Sequence, residues 1–142
     1  MATVRQILDA KGHDVATIGP GGTVYDAIRK MADENIGSLV VMDGEKIVGI
    51  VTERDYARNV FLKGKASPTT MIKDIMSVRV VCAWPEQSVE ECMAVMTDKA
   101  VRHLPVLENK RLVGLVSIGD LVKSIIGDQK FIIEQLERYI GG

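Results

Sequence analysis

The sequence predicts an α/β chain built from two related β-α-β-β-α motifs, with one further helix at the C-terminus. Three observations predict it. The stretch Gly49-Ile50-Val51-Thr52-Glu53-Arg54-Asp55 returns as Gly114-Leu115-Val116-Ser117-Ile118-Gly119-Asp120, and a repeat of this length is an architectural unit. Short β-branched runs alternate with segments of helical period in both copies. The 142 residues, 46% hydrophobic and 26% charged, suit one compact body in which two half-size motifs share a core.

The first copy opens with Val4-Arg5-Gln6-Ile7-Leu8, matched by Ile72-Lys73-Asp74-Ile75-Met76 at a slightly larger offset. The extra residues fall near Lys11-Gly12-His13, read as a loop. Asp14–Ile18 and Arg79–Ala83 are predicted first strands, stopped by Pro20 and Pro85, since proline fixes φ and lacks a donor. Thr23 and Ser88 are candidate N-caps, with Asp26 and Glu91 three residues on. The helical stripes that follow, Val24, Ala27, Ile28, Met31 and Val89, Cys92, Met93, Met96, are expected to be core. Residues 38–42 and 103–107 are strand-like, then Asp43-Gly44 and Glu108-Asn109 signal hairpins. The returning strands, 47–51 and 112–116, run into second helices near Arg54 and Gly119. The expected organisation is motif 1 over 4–60, a linker over 61–70, motif 2 over 71–126 and an amphipathic helix over 128–140. That helix is expected to dock on the pair or on a second subunit. One three-stranded sheet with two helices cannot bury its apolar face alone, so the motifs are expected to pack through their sheets about a pseudo-twofold axis.

Composition excludes several functions. The net charge of −1 offers no basic surplus for a phosphate backbone, so nucleic acid is not expected as the main partner. No apolar stretch approaches the roughly 18 residues of a membrane span, and no secretory signal is visible, so a cytoplasmic location without membrane association is expected. Cys82 and Cys92 form no CxxC, and with only His13 and His103 they make no zinc pattern. No metal site is expected, and the thiols are read as reduced. Cys92 stands where the first copy has Ala27, which favours packing.

Each copy ends a β-branched strand with a hydroxyl and, three residues later, a carboxylate: Thr52 with Asp55, Ser117 with Asp120. Such a pair caps a helix. Its duplication at one register, with a glycine at the same place in both strands, also fits a ligand groove at a helix N-terminus. Both readings stand on the residues alone.

The duplicated G-h-h-[TS]-x-x-D, with Arg102-His103-Leu104-Pro105-Val106 before the second hairpin, resembles the cystathionine-β-synthase (CBS) domain in its tandem form, the Bateman module. The resemblance spans about residues 4–126 and is to the stand-alone CBS pairs. It implies a regulatory module that senses energy or redox state by binding AMP, ADP, ATP, NAD(H) or S-adenosylmethionine and signals to an unknown downstream protein by conformational change. It implies a homodimer and no catalysis. By the resemblance, Asp55 and Asp120 accept hydrogen bonds from ribose hydroxyls, and Thr52 and Ser117 help to hold ribose or phosphate. A carboxylate's two oxygens suit a vicinal diol. One implied cleft joins Asp55 to Val80, Val81 and Cys82 around adenine, with Arg102 and His103 near phosphate. The other joins Asp120 to Ala16, Thr17 and Ile18, with Gly37 and Ser38. The Asp55 cleft is therefore expected to tolerate more phosphate charge, or the two clefts to prefer different ligands. Arg54 is a phosphate candidate or a solvated arginine at a helix start; His103 is a phosphate neighbour or a structural histidine.

Two other functions compete. A ligand-free interaction scaffold would use Asp55 and Asp120 only as caps. A nucleotide-processing enzyme is disfavoured, because no P-loop, G-x-S-x-G or H-E-x-x-H motif occurs.

Overall fold

The computed structural model describes residues 2–141. In chain order the elements are α1 (Val4–Lys11), β1 (Thr17–Ile18), α2 (Val24–Glu34), β2 (Ser38–Asp43), β3 (Lys46–Thr52), α3 (Glu53–Tyr56), α4 (Ile72–Ile75), α5 (Val89–Lys99), β4 (His103–Glu108), β5 (Arg111–Ser117) and α6 (Ile118–Gly141). A π-helical turn over Ala57–Phe61 extends α3, and a short 3-10 turn over Ser67–Thr69 precedes α4.

The chain forms two compact units that cut across the sequence repeats. The first, called here the Asp55 unit, comprises Asp14–Val81 and Asn109–Val113; the Asp120 unit takes the residues up to His13, Cys82–Glu108, and those from Gly114 onward. Each unit thus carries the leading helix of the other repeat.

In the Asp55 unit β1 pairs parallel with β2, and β2 pairs antiparallel with β3. Gly44 turns the hairpin with φ +61°, a left-handed value that glycine adopts without cost. The core holds Val24, Ala27 and Met31 from α2, Leu39, Val41 and Val51 from the sheet, and Ile72 and Ile75 from α4. Thr23 and Asp26 complete a capping box at α2. Gly49 is required by packing: a Cβ there would lie 2.6 Å from Met76 Sδ.

The Asp120 unit repeats this plan with α1 in the place of α4. Val4, Leu8, Val89, Cys92, Met96, Leu104, Val106, Val116 and Leu121 are buried. A Cβ on Gly114 would lie 2.6 Å from Leu8 Cδ2. So Leu8 sits over the strand glycine of this unit as Met76 does over Gly49. Val4 N–H donates to Gln87 O, and Val89 N–H to Ala2 O; in the Asp55 unit Ile72 N–H donates to Gly22 O, and Val24 N–H to Thr70 O.

Two expectations need correction. The second copy's first strand, expected over Arg79–Ala83, shrinks to one parallel bridge between Ala83 and Val106. In the first copy Val40 N–H donates to Ala16 O at 3.2 Å, whereas the equivalent of Val40 is Pro105, which has no N–H to donate. The ladder therefore keeps only the bonds around Ala83, from Ala83 N–H to Pro105 O and from Leu107 N–H to Ala83 O. The C-terminal helix, expected to begin at 128, is the uninterrupted continuation of the helix after β5. Gly127 lies inside it, because one glycine costs a helix only about 1 kcal/mol and does not end it. None of the helices among the described residues is long and apolar enough to cross a membrane.

Candidate functional site

The two hydroxyl-carboxylate pairs lie at corresponding places, each where a strand passes into a helix. Thr52 ends β3 and caps α3 in an extended conformation. Its N–H donates to Asp55 Oδ2 at 3.0 Å, and Asp55 N–H donates to Thr52 Oγ1 at 3.1 Å. At the other site Ser117 N–H donates to Asp120 Oδ2 at 2.8 Å, and Asp120 N–H donates to Ser117 Oγ at 3.2 Å. Both are capping boxes, in which two otherwise orphaned donors are satisfied reciprocally. In both, the box uses Oδ2, and Oδ1 accepts neither bond. Both carboxylates are half-buried, fixed in orientation and reachable.

The strand that starts each hairpin runs past this point. Ser38 pairs with Thr52, and Glu53 N–H donates to Gly37 O at 3.1 Å. In the second copy Ile118 N–H donates to Arg102 O at 2.9 Å. Gly37 and Ser38 abut Thr52 and Asp55, and Arg102 abuts Ser117 and Asp120, with His103 next in its strand. Hairpin register is the cause: a two-residue loop sets the first residue of one strand opposite the last of the other. The backbone of Arg102, a residue expected from sequence at the Asp55 cleft, therefore runs beside Ser117.

The other candidates distribute as follows. Thr17 and Ile18 form β1, opposite Val40 and Val41, while Ala16 O takes the Val40 N–H. Lys30 Nζ donates to Thr17 O at 2.6 Å. Val80 and Val81 close the Asp55 unit without a regular strand, and Cys82 begins the next segment of the Asp120 unit. Arg54 is exposed on the first turn of α3. Both cysteines are free. Burial pushes the Cys82 thiol up; burial, then the Glu91 charge, pushes Cys92 up to about 11. Among the described residues no cluster of three His, Cys, Asp or Glu side chains could hold a metal.

One site residue escaped the sequence reading. Lys11, placed there in a loop, is the last residue of α1, and its Nζ donates to Asp120 Oδ2 at 2.7 Å and to Leu115 O at 3.0 Å. Burial alone would raise the Asp120 carboxyl; the Lys11 hydrogen bond, the Ser117 backbone bond and the Lys11 charge outweigh it and hold the carboxyl below its ordinary value. Asp55 forms no ion pair among the described residues. Its unit has α4 where the other has α1, and α4 is only four residues long, with Arg79 at the repeat equivalent of Lys11. An open groove of about 550 Å³ runs beside the Asp120 box, lined by Ser117, Gly119, Asp120, Val122, Lys123 and Ile126.

The CBS domain family model matches residues 4–61 and again 72–127. The chain is 38% identical over 125 residues to the mitochondrial CBS domain-containing protein CBSX3 of Arabidopsis thaliana, covering 84% of this chain and 61% of that one. It therefore spans about three fifths of that relative's length. Among solved structures, a candidate signal-transduction protein with CBS domains from Burkholderia ambifaria is 53% identical, with a TM-score of 0.87 over 90% of this chain and 96% of that chain. The CBS domain pair of protein MJ0100, solved with 5-methylthioadenosine and S-adenosyl-L-methionine, is 25% identical, with a TM-score of 0.77 over 87% of this chain and 99% of that one. Two family matches in tandem, over the very segments that carry the duplicated hydroxyl-carboxylate boxes, make this chain a member of the CBS-domain family with a pair of CBS motifs.

Proposed function

We propose that this CBS pair is a regulatory module that binds adenosine-containing ligands through Asp55 and Asp120 and passes the binding event to a partner protein by a shift in conformation. The observation that carries the reading is the duplicated carboxylate, held by its capping box through Oδ2 with Oδ1 left to accept from a ribose hydroxyl. The ligand class is AMP, ADP, ATP, NAD(H) or S-adenosylmethionine; the adenosine ligands of the MJ0100 pair support it. Thr52, Gly37, Ser38 and the backbone around Ala16–Ile18 contribute at the Asp55 site, and Ser117, Arg102 and His103 at the Asp120 site. Lys11 and Arg102 make the Asp120 site the better host for phosphate, the reverse of the expectation from sequence. The module binds rather than catalyses, acts as a homodimer and works in the cytoplasm.

Calorimetric titration with AMP, ATP and NAD tests this. Wild type should bind; Asp55→Ala and Asp120→Ala should each lose one class of site. Unchanged binding in both variants would refute the ribose assignment.

A second reading has one observation in its favour: each carboxylate already has a structural task in its capping box. If capping is its whole task, the protein is an interaction scaffold and no nucleotide shifts its melting. A specific ligand at one hundred times its Kd should stabilise by about 2.7 kcal/mol, which a thermal-shift series detects.

A further inference from the structure

Beyond Leu121, which is buried, α6 leaves the body of its unit. From Ile126 to Gly141 every described side chain is exposed. The exposed set includes Ile126, Ile132, Ile133, Leu136, Tyr139 and Ile140. At 100° per residue these fall on one stripe of the helix, with Gln129 the sole polar side chain inside it, while Phe131, also exposed, lies off it. Helices of about 12–15 residues are marginal in water without packing, so this stripe calls for a partner. A lipid surface is a poor match, because the charged positions mix Asp128, Glu134 and Glu137 with Lys130 and Arg138 where anionic lipid favours a uniformly basic face.

We infer that the partner is α6 of a second copy, packed antiparallel and centred between Ile133 and Glu134. Two independent features select this arrangement. The first is charge. Lys130 and Glu137 flank the same edge of the stripe, and an antiparallel twofold sets like edges together, so Lys130 of each copy meets Glu137 of the other. Both residues are equidistant from the stated centre. On the opposite edge the same centre sets the Tyr139 hydroxyl beside the Asp128 carboxylate. A parallel pair would instead set Lys130 and Glu137 against the apolar edge positions Ile125 and Ile132.

The second feature is a groove of about 570 Å³ at the base of the exposed segment, bordered by Gln6 of α1, Glu90 of α5, and Ile125, Asp128, Gln129 and Ile132 of α6. In this register the partner's C-terminal turn, which carries Tyr139 and Ile140, arrives at that groove. Tyr139, 86% exposed, gains an apolar wall for its ring and an acceptor for its hydroxyl. The interface rests on the homodimer proposed above and does not depend on nucleotide binding.

Sedimentation equilibrium of the full chain tests it, with circular dichroism to check folding. Wild type should have twice the chain mass. Ile133→Asp, at an exposed position, should give the single mass with the fold intact. Lys130→Glu and Glu137→Lys should each weaken the dimer roughly tenfold, since two pairs turn repulsive, and Lys130→Glu with Glu137→Lys in one chain should restore it. A monomeric wild type would overturn both the homodimer and the interface. A dimer indifferent to all these changes would overturn the interface and leave the homodimer standing. Weakening by each single change without restoration by the double would overturn the antiparallel register.

Discussion

Lys11 Nζ lies 2.7 Å from Asp120 Oδ2, tying the end of α1 to the start of α6 across more than one hundred residues of sequence. No such tie reaches Asp55 among the described residues, so two sites of like design differ in charge. Lys11→Met should raise the Asp120 pKa, because burial is then opposed only by Ser117. The folded-state value of wild type is depressed. The ionised carboxylate therefore stabilises the fold above its ordinary value of 3.8, and this contribution is lost as pH falls through the lower folded value. In Lys11→Met, acid unfolding should begin at higher pH. Carboxyl carbon NMR titration reads the first effect, and fluorescence from Trp84 the second.

The same lysine should sort the ligands. Lys11→Met is expected to weaken ATP more than adenosine at the Asp120 site and to leave the Asp55 site unchanged. Titrations in the Asp55→Ala background isolate the effect. Equal losses for ATP and adenosine would mean that Lys11 only orients the carboxylate.

Gly49 and Gly114 should resist substitution. Alanine at either place drives a Cβ into Met76 or Leu8 at 2.6 Å, and overpacking of this kind costs about 1–3 kcal/mol. Urea denaturation of Gly49→Ala and Gly114→Ala measures it.

Ala100 ends α5 in the left-handed region at φ 54°, where the first copy has Asn35 at φ 55°. Asparagine and glycine tolerate this region better than alanine. Ala100→Gly is expected to stabilise the protein by about 1 kcal/mol, read as a higher melting temperature.

The repeat made the broad fold legible, because Gly49 and Gly114, Thr52 and Ser117, and Asp55 and Asp120 share one offset and one local geometry. Three features were harder to see. Pro105 removes a single N–H, and with it most of a strand, which composition does not register. Gly127 looked like a boundary, yet the helical spacing runs through it. Lys11 lay in apparent loop sequence, and its role depends on α1 packing with the other repeat, a tertiary exchange that the local pattern does not encode. The backbone neighbour of Ser117 was also legible: the two-residue hairpin loop already sets the start of β4 opposite the end of β5.

A crystal structure of the protein grown with AMP tests the central claim most directly. The account predicts ribose 2′- and 3′-hydroxyls within hydrogen-bonding distance of the Oδ1 atom of Asp55, Asp120 or both, with each capping box intact. A nucleotide bound with its ribose away from both carboxylates would contradict it.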